Sequence, residues 1–156
     1  MNKELPKNIE AEKCLLGSMF WSRESLQRGC EEADKDIFYL DSHGKIFDAI
    51  KSLYLNDTPV DITSVTTYLI NINKIGGVEY LNEVVNSVAT GANIEYYINL
   101  VSEKYTLRKM IEVATDIVNK ATNAEVNAAD TIDEAEKDIL NISKFRKTSE
   151  FRKVQD

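Results

Sequence analysis

The stretch INKIGGVEYLNEV, residues 72–84, places two of the six glycines of this chain side by side. Paired glycines can cradle a phosphate group, or they can end one helix and begin the next. A phosphate loop also needs a lysine followed by serine or threonine, and Gly76 and Gly77 are followed by Val78 and Glu79. We therefore predict a tight corner, in which a left-handed glycine ends one helix and its neighbour starts another.

The composition around this corner favours an all-α protein. The chain has 156 residues, 43% of them hydrophobic, and only two prolines. It contains no apolar run long enough to span a membrane, and residues 1–6 do not resemble a secretory signal. Its two cysteines form no CxxC motif. We expect a reduced, cytoplasmic protein that does not bind membranes.

The charge distribution divides the chain into an acidic body and a basic end. The formal net charge is −7, which argues against nucleic-acid binding by the chain as a whole. Residues 144–156 nevertheless carry five basic side chains against two acidic ones. This segment is interpreted either as a linker or docking segment, or as a solvated, disordered end.

Capping residues predict several short helices in the first half of the chain. Asn8, Ser22 and Asp61 are suitable N-caps, and the helix that follows Ser22 is predicted to extend through Leu26. Gly17 lies inside the first helix, where it predicts a close helix crossing. The third helix has an apolar face formed by Ile46, Phe47, Ile50, Leu53 and Tyr54.

The second half of the chain predicts a long helical hairpin. One helix is expected from Asn93 to about Thr122, followed by a polar connector and a second helix. Both helices carry apolar residues at heptad spacing, which predicts a seam for the hairpin or for self-association. The predicted seam consists of Leu107, Ile111, Ala114, Val118, Ile132, Ala135, Ile139 and Ile142.

Further apolar residues of these helices are left for another surface. They form a candidate partner surface of Tyr96, Tyr97, Leu100, Met110 and Leu140. A thin hairpin cannot bury both of its faces, so this surface implies a partner or self-association. The alternative is that these residues pack back on the N-terminal helices.

No catalytic, cofactor-binding or metal site is assigned. Gly44-Lys45 is followed by Ile46, so this Gly-Lys pair does not form a P-loop. His43 is the only histidine, and we expect it to pack or to form hydrogen bonds. Glu10 and Glu12 are two residues apart and face different sides of a helix, which makes them a poor metal pair.

The order of several short motifs is more specific than any one of them. The motifs are PKNIEAE at 6–12, LLGS at 15–18, Phe38-Tyr39, His43 before Ile46-Phe47, VDIT at 60–63, IGGVEYL at 75–81 and ANIEYY at 92–97. Glu103-Lys104, Leu107-Arg108 and Ala135-Glu136 with Ile139 follow them. In this order the sequence resembles the N-terminal domain of the bacterial replicative DNA helicases, the DnaB family, over nearly its whole length.

The resemblance implies an all-α fold with a globular helical head at 1–92 and an antiparallel helical hairpin at 93–143. Residues 144–156 would begin a linker that docks on an ATPase domain through Phe145, Phe151, Arg152 and Val154. In this family the domains pair, and three pairs form a collar on a hexameric ring. The family's primase docks on this collar through its C-terminal domain, and a helicase loader is a further possible partner.

The resemblance also separates this chain from the enzyme activity of the family. The full-length protein would be an ATP-dependent 5′–3′ DNA helicase, using ATP and Mg²⁺ and contacting DNA through a RecA-like domain absent here. The chain itself is then a non-catalytic scaffold. One alternative is a free-standing helical adaptor with an unrelated partner, and another is a small hydrolase using Glu and His43.

Overall fold

The computed structural model describes residues 4–123 and 125–155, with side-chain positions as far as Phe145. These residues form helices and contain no strand. The α-helices are α1 (Ile9–Ser18), α2 (Arg23–Glu32), α3 (Asp41–Leu55), α4 (Ile62–Tyr68), α5 (Gly77–Val85), α6 (Ile94–Ala121) and α7 (Ala128–Gln155). Two 3₁₀ turns, Lys35–Ile37 and Ile72–Ile75, precede α3 and α5. The prediction of an all-α fold with a long hairpin is confirmed.

The chain forms two compact units, which divide between Glu103 and Lys104 in the middle of α6. The first unit, the head, comprises residues 7–103, and the second comprises the described residues of 4–6 and 104–155. The early turns of α6 belong to the head, where Ile94, Ile98 and Val101 are buried. The predicted boundary at residues 92 and 93 coincides with the start of α6, whereas the units divide further along that helix.

The core of the head is formed by the apolar faces of short helices. Helix α1 packs against α5 and α3, and α3 packs against α4. Large side chains that are fully buried include Leu15, Leu16, Met19, Ile46, Phe47, Ile50, Val65, Leu81 and Val84. Gly17 permits the crossing of α1 and α5, because a Cβ atom there would lie 2.3 Å from the Val84 carbonyl oxygen. The predicted close crossing is confirmed.

The predicted N-caps are present. Asn8 Oδ1 accepts a hydrogen bond from Ala11 N at 2.9 Å, and the Ser22 hydroxyl accepts one from Ser25 N at 3.0 Å. Asp61 forms a capping box with Ser64 and accepts from its backbone N–H at 2.7 Å. Each side chain satisfies a backbone donor that the first helical turn leaves unpaired.

The glycine pair forms the predicted corner. Gly76 (φ 107°) ends the 3₁₀ turn and Gly77 (φ 73°) begins α5. Both φ values lie in the region that favours glycine. A Cβ atom on Gly76 would lie 2.7 Å from Cβ of Tyr80, so this glycine also lets Tyr80 pack against the corner.

Helix α2 is longer than predicted. It continues past Leu26 to Glu32, because Gly29 and Cys30 are buried against the rest of the head. A Cβ atom on Gly29 would lie 2.8 Å from the Met19 side chain, so glycine is needed for this packing. Tertiary contact therefore outweighs the low helix propensity of glycine in this segment.

Helices α6 and α7 run antiparallel in the second unit. Tyr105, early in α6, packs edge-on against Phe145 of α7 with ring centroids 5.4 Å apart. Near the connector, Lys120 Nζ lies 2.6 Å from Glu134 Oε2. Helix α7 continues without a break to Gln155, past the predicted start of a linker at Lys144.

Candidate protein-interaction site

Most residues of the predicted seam are exposed on the second unit. Val118, Ile132 and Ile139 are 59%, 56% and 55% exposed, and Leu107, Ile111 and Ala114 are exposed as well. Only Ala135 and Ile142 of the predicted set are half-buried. Within one chain, the two helices are therefore held together mainly by other side chains.

The side chains that line the space between the helices follow a different stripe of α6, whereas on α7 they include two residues of the predicted seam. From α6 they include Tyr105, Val113 and Ile117, and from α7 Ala135, Ile142 and Phe145. The three residues of α6 lie roughly 80–160° around the helix axis from Leu107, given about 100° of rotation per residue. The heptad spacing predicts a stripe on each helix, but it does not identify the surface that the stripe contacts, and the role of the seam stays a prediction.

The exposed stripes lie on one side of the hairpin. The antiparallel contacts place Val118 at the level of Ile132, and Ile111 at the level of Ile139. The helical rotation turns both stripes to the same side. We call Leu107, Ile111, Ala114, Val118, Ile132 and Ile139 the apolar face. A cavity of about 350 Å³ adjoins it, lined by Ile117, Ala121, Val126, Ile132, Ala135 and neighbouring residues.

The candidate partner surface is divided between the two units. Tyr96, Tyr97 and Leu100 belong to the head, and the rings of Tyr96 and Tyr97 lie 5.7 Å apart. Burial raises the pKa of Tyr97, with a smaller contribution from Cys14. Met110 and Leu140 belong to the second unit and are both about half exposed.

Only one of the predicted linker residues has a described side chain. Phe145 packs against Tyr105 within the second unit. The side chains of Phe151, Arg152 and Val154 lie outside the described residues. Their role in docking a linker stays a prediction.

A buried polar cluster joins four of the short motifs inside the head. Glu12 of α1 accepts hydrogen bonds from Tyr39 N at 2.7 Å and from Leu40 N at 3.4 Å. Nδ1 of His43 lies 2.8 Å from Glu12 Oε1, and Nε2 of His43 lies 2.5 Å from the Tyr80 hydroxyl. His43 is 0% and Glu12 1% exposed.

With a neutral His43 ring, the hydrogen bonds to Glu12 select one tautomer. Glu12 accepts from backbone N–H groups, so Nδ1 of His43 carries a proton and donates to it. Nε2 is then the acceptor for the Tyr80 hydroxyl, whose pKa is raised mainly by burial. The cluster links α1, α3 and α5 within the head. The prediction that His43 packs or forms hydrogen bonds is confirmed.

The spacing of apolar residues in α1 contains a signal for this cluster. Glu12 is spaced for the same helical face as Leu15, Leu16 and Met19, all of which are buried. A carboxylate on a core face needs buried partners. That spacing could have directed attention to His43, the only histidine.

The Gly44-Lys45 pair lies in the first turns of α3. Lys45 Nζ pairs with Asp41 at 3.1 Å, one helical turn away. The backbone N–H of Gly44 donates to the Leu40 carbonyl oxygen, so it is not available to a phosphate group. These residues do not fit a bound nucleotide. In addition, no helix of the described residues is both long and apolar enough to cross a bilayer.

Comparison with known proteins agrees with the resemblance in the sequence. Residues 4–103 match the family described as DnaB-like helicase N terminal domain. The chain is 40% identical over 154 residues to the replicative DNA helicase DnaC of Bacillus subtilis (strain 168), and 35% identical to the replicative DNA helicase DnaB of Geobacillus stearothermophilus. Each match covers 97% of this chain but only 34% of the relative.

Two solved structures resemble the fold. The first is the crystal structure of the N-terminal domain of DnaB helicase from Mycobacterium tuberculosis, with a TM-score of 0.82 and 31% identity. This match covers 89% of this chain and 99% of that one. The second is described as the structure of a DnaB-like replicative helicase and its interactions with primase. It has a TM-score of 0.68 and 27% identity, and covers 86% of this chain and 31% of that one.

Proposed function

Because this chain belongs to the family of DnaB-like helicase N-terminal domains, we propose that it is the scaffold and docking domain of a hexameric replicative helicase. In this role it performs no chemistry. It pairs with copies of itself to form the collar of the ring, in the cytoplasm, and it recruits the primase that lays down primers. ATP and Mg²⁺ are then used by an ATPase domain elsewhere in the protein, and DNA is contacted there.

The observation that carries this proposal is the apolar face of the hairpin. Six aliphatic side chains on one side of two antiparallel helices are exposed. Monomeric proteins rarely expose a contiguous apolar patch of this kind. Its heptad spacing suits another helical hairpin. A second copy supplies such a hairpin, and the result is a four-helix arrangement with a closed apolar core.

Two valines of α6 allow a test with matched substitutions. Val118 lies on the apolar face, whereas Val113 is half-buried and lines the space between α6 and α7. We expect Val118→Asp to shift the protein from dimer to monomer in analytical ultracentrifugation without loss of helicity. Val113→Asp should instead lower the melting temperature, because it places a charge between the two helices. If the wild-type chain sediments as a monomer at high concentration, the proposal that copies of the chain pair to form a collar is wrong.

The primase part of the proposal needs its own measurement. It rests on family membership and on the relative whose structure is described together with primase. Calorimetric titration of the chain with the C-terminal domain of the primase from the same cell should give saturable binding, with a stoichiometry per pair. Absence of binding by both the chain and the full-length helicase overturns primase docking. That outcome does not bear on self-association, which sedimentation tests independently.

A further inference from the structure

A second groove runs along the hairpin and differs in character from the apolar face. It has a volume of about 500 Å³ and lies between α6 and α7 in the second unit. Its charged lining consists of Glu112, Asp116 and Asp138 with Lys109. Val113 and Ile142 supply apolar surface, and Tyr105 and Phe145 form an aromatic end. We call it the acidic groove.

The acidic groove faces away from the apolar face. On α6, Glu112 and Asp116 lie roughly 140–180° around the helix from Leu107. On α7, Asp138 lies roughly 120° from Ile132. The inference rests on the proposed function in one respect, since a second copy seated on the apolar face leaves the acidic groove open to another molecule.

The ion pairs inside the groove leave one carboxylate available. Lys109 Nζ lies 3.2 Å from Glu112 Oε2, and Lys120 Nζ lies 2.9 Å from Asp116 Oδ2. Asp138 is half-buried and, among the residues that the structure describes, makes no hydrogen bond or ion pair. A half-buried carboxylate beside an apolar floor favours a cationic group that can also pack its alkyl chain.

The aromatic end adds a second preference for cations. Arg108 and Lys109 both lie 5.9 Å from the Tyr105 ring centroid, so this ring already attracts cationic side chains. The faces of such rings attract guanidinium groups in particular. Carboxylates, an apolar floor and an aromatic end together match a segment that carries both arginine and aliphatic side chains.

We propose that the acidic groove binds a segment of a partner protein that bears arginine residues flanked by aliphatic ones. Arginine would pair with Asp138, while the aliphatic side chains would cover Val113 and Ile142. The size of the groove and its apolar floor favour a protein segment over a small polyamine, which would leave that floor exposed.

The proposal can be tested with the full chain and a synthetic helical peptide that carries arginine and leucine on one face. Fluorescence anisotropy should show salt-sensitive binding, and a peptide with glutamate in place of arginine should not bind. Asp138→Asn should weaken binding about tenfold, since it removes the charge from a half-buried pair. Tyr105→Leu should weaken it as well.

The matched control is Asp133→Asn, which removes the same charge from an exposed position of α7 outside the groove. It should bind the peptide like the wild type. Equal loss in Asp133→Asn and Asp138→Asn overturns the proposal, because attraction to the acidic chain as a whole then explains the binding. Absence of binding by the wild type overturns it too.

One further variant separates this proposal from self-association. Val118→Asp should be monomeric and should still bind the peptide, because Val118 lies outside the acidic groove. Loss of peptide binding in that variant places the peptide on the apolar face and contradicts the groove. Retained binding in a wild-type chain that proves monomeric supports the groove even where the collar proposal fails.

Discussion

Nε2 of His43 and the hydroxyl group of Tyr80 lie 2.5 Å apart, and their rings are stacked with centroids 5.9 Å apart. This contact ties α3 to α5 directly behind the glycine corner. Since Glu12 holds the other nitrogen of the same ring, the three motifs around residues 12, 43 and 80 meet in one hydrogen-bonded cluster. The cluster explains why these residue types occur together in the head.

Removing the Tyr80 hydroxyl should destabilise the head. Tyr80→Phe leaves Nε2 of the buried His43 without its donor, which costs about 1–3 kcal/mol of the free energy of unfolding. Tyr68→Phe is the control, because Tyr68 is 46% exposed. Urea denaturation of both variants measures the difference. Equal stability of the two would mean that the phenol contributes no stabilising hydrogen bond.

Neutralising Glu12 should have a larger effect than neutralising Glu10. Glu12→Gln replaces one of the two acceptor oxygens by an amide group, which would point its own N–H at backbone N–H donors. Hydrogen bonds to a charged group contribute about 1.5–3 kcal/mol, so we expect the free energy of unfolding to fall by an amount of that order. Glu10 has a 79% exposed side chain 3.4 Å from Lys13, and such surface pairs contribute about 0–1 kcal/mol. In thermal unfolding, the melting temperature should therefore fall clearly only for Glu12→Gln. If Glu10→Gln loses as much stability as Glu12→Gln, the buried hydrogen bonds of Glu12 are not the source of the effect.

The crossing of α1 and α5 should not tolerate a methyl group. In Gly17→Ala the new Cβ meets the Val84 carbonyl oxygen, a backbone atom that cannot rotate away, so the helices must move apart at a cost of about 1–3 kcal/mol. Gly44→Ala provides the comparison, because a Cβ atom at Gly44 would lie 3.3 Å from the nearest atom, the Lys35 carbonyl oxygen. Chemical denaturation should show a much smaller decrease in the free energy of unfolding for Gly44→Ala than for Gly17→Ala.

Alkaline pH should weaken the head through Cys30. Burial raises the pKa of this thiol from 9.0 to about 11. The unfolded chain therefore loses its proton first, so the free energy of unfolding should fall as the pH rises from 9 towards 11. Urea denaturation at several pH values should show a shallower fall for Cys30→Ala. Tyr80, whose pKa is also raised, adds to the loss only above pH 10.

Helix α7 offers a matched pair of isoleucines. Ile142 is half-buried between the helices, whereas Ile139 is exposed on the apolar face. Ile142→Asp should lower the helicity and the melting temperature, because it buries a charge in the hairpin. Ile139→Asp should leave both nearly unchanged in the monomer and should abolish self-association in sedimentation experiments. The reverse pattern would show that Ile139 closes the hairpin within one chain.

The local structure of this chain follows directly from its sequence. Capping at Asn8, Ser22 and Asp61, the corner at Gly76 and the extent of α6 depend on hydrogen bonds and backbone angles within a few residues. Such interactions involve neighbouring residues, so they depend little on the rest of the fold. The heptad spacing likewise identified an apolar stripe on each long helix. The ordered motifs were sufficient to identify the family.

Only the tertiary structure decided which surface each of these residues contacts. Helical spacing fixes the angle of Val118 or Ile139 around its own helix, but it does not fix the rotation of that helix against its neighbour. The packing of Tyr105 on Phe145 sets that rotation, and it turns the stripe outwards. In the same way, the contact of Gly29 with Met19 lengthens α2. The cluster of Glu12, His43 and Tyr80 requires residues far apart in sequence to meet, which local spacing does not determine.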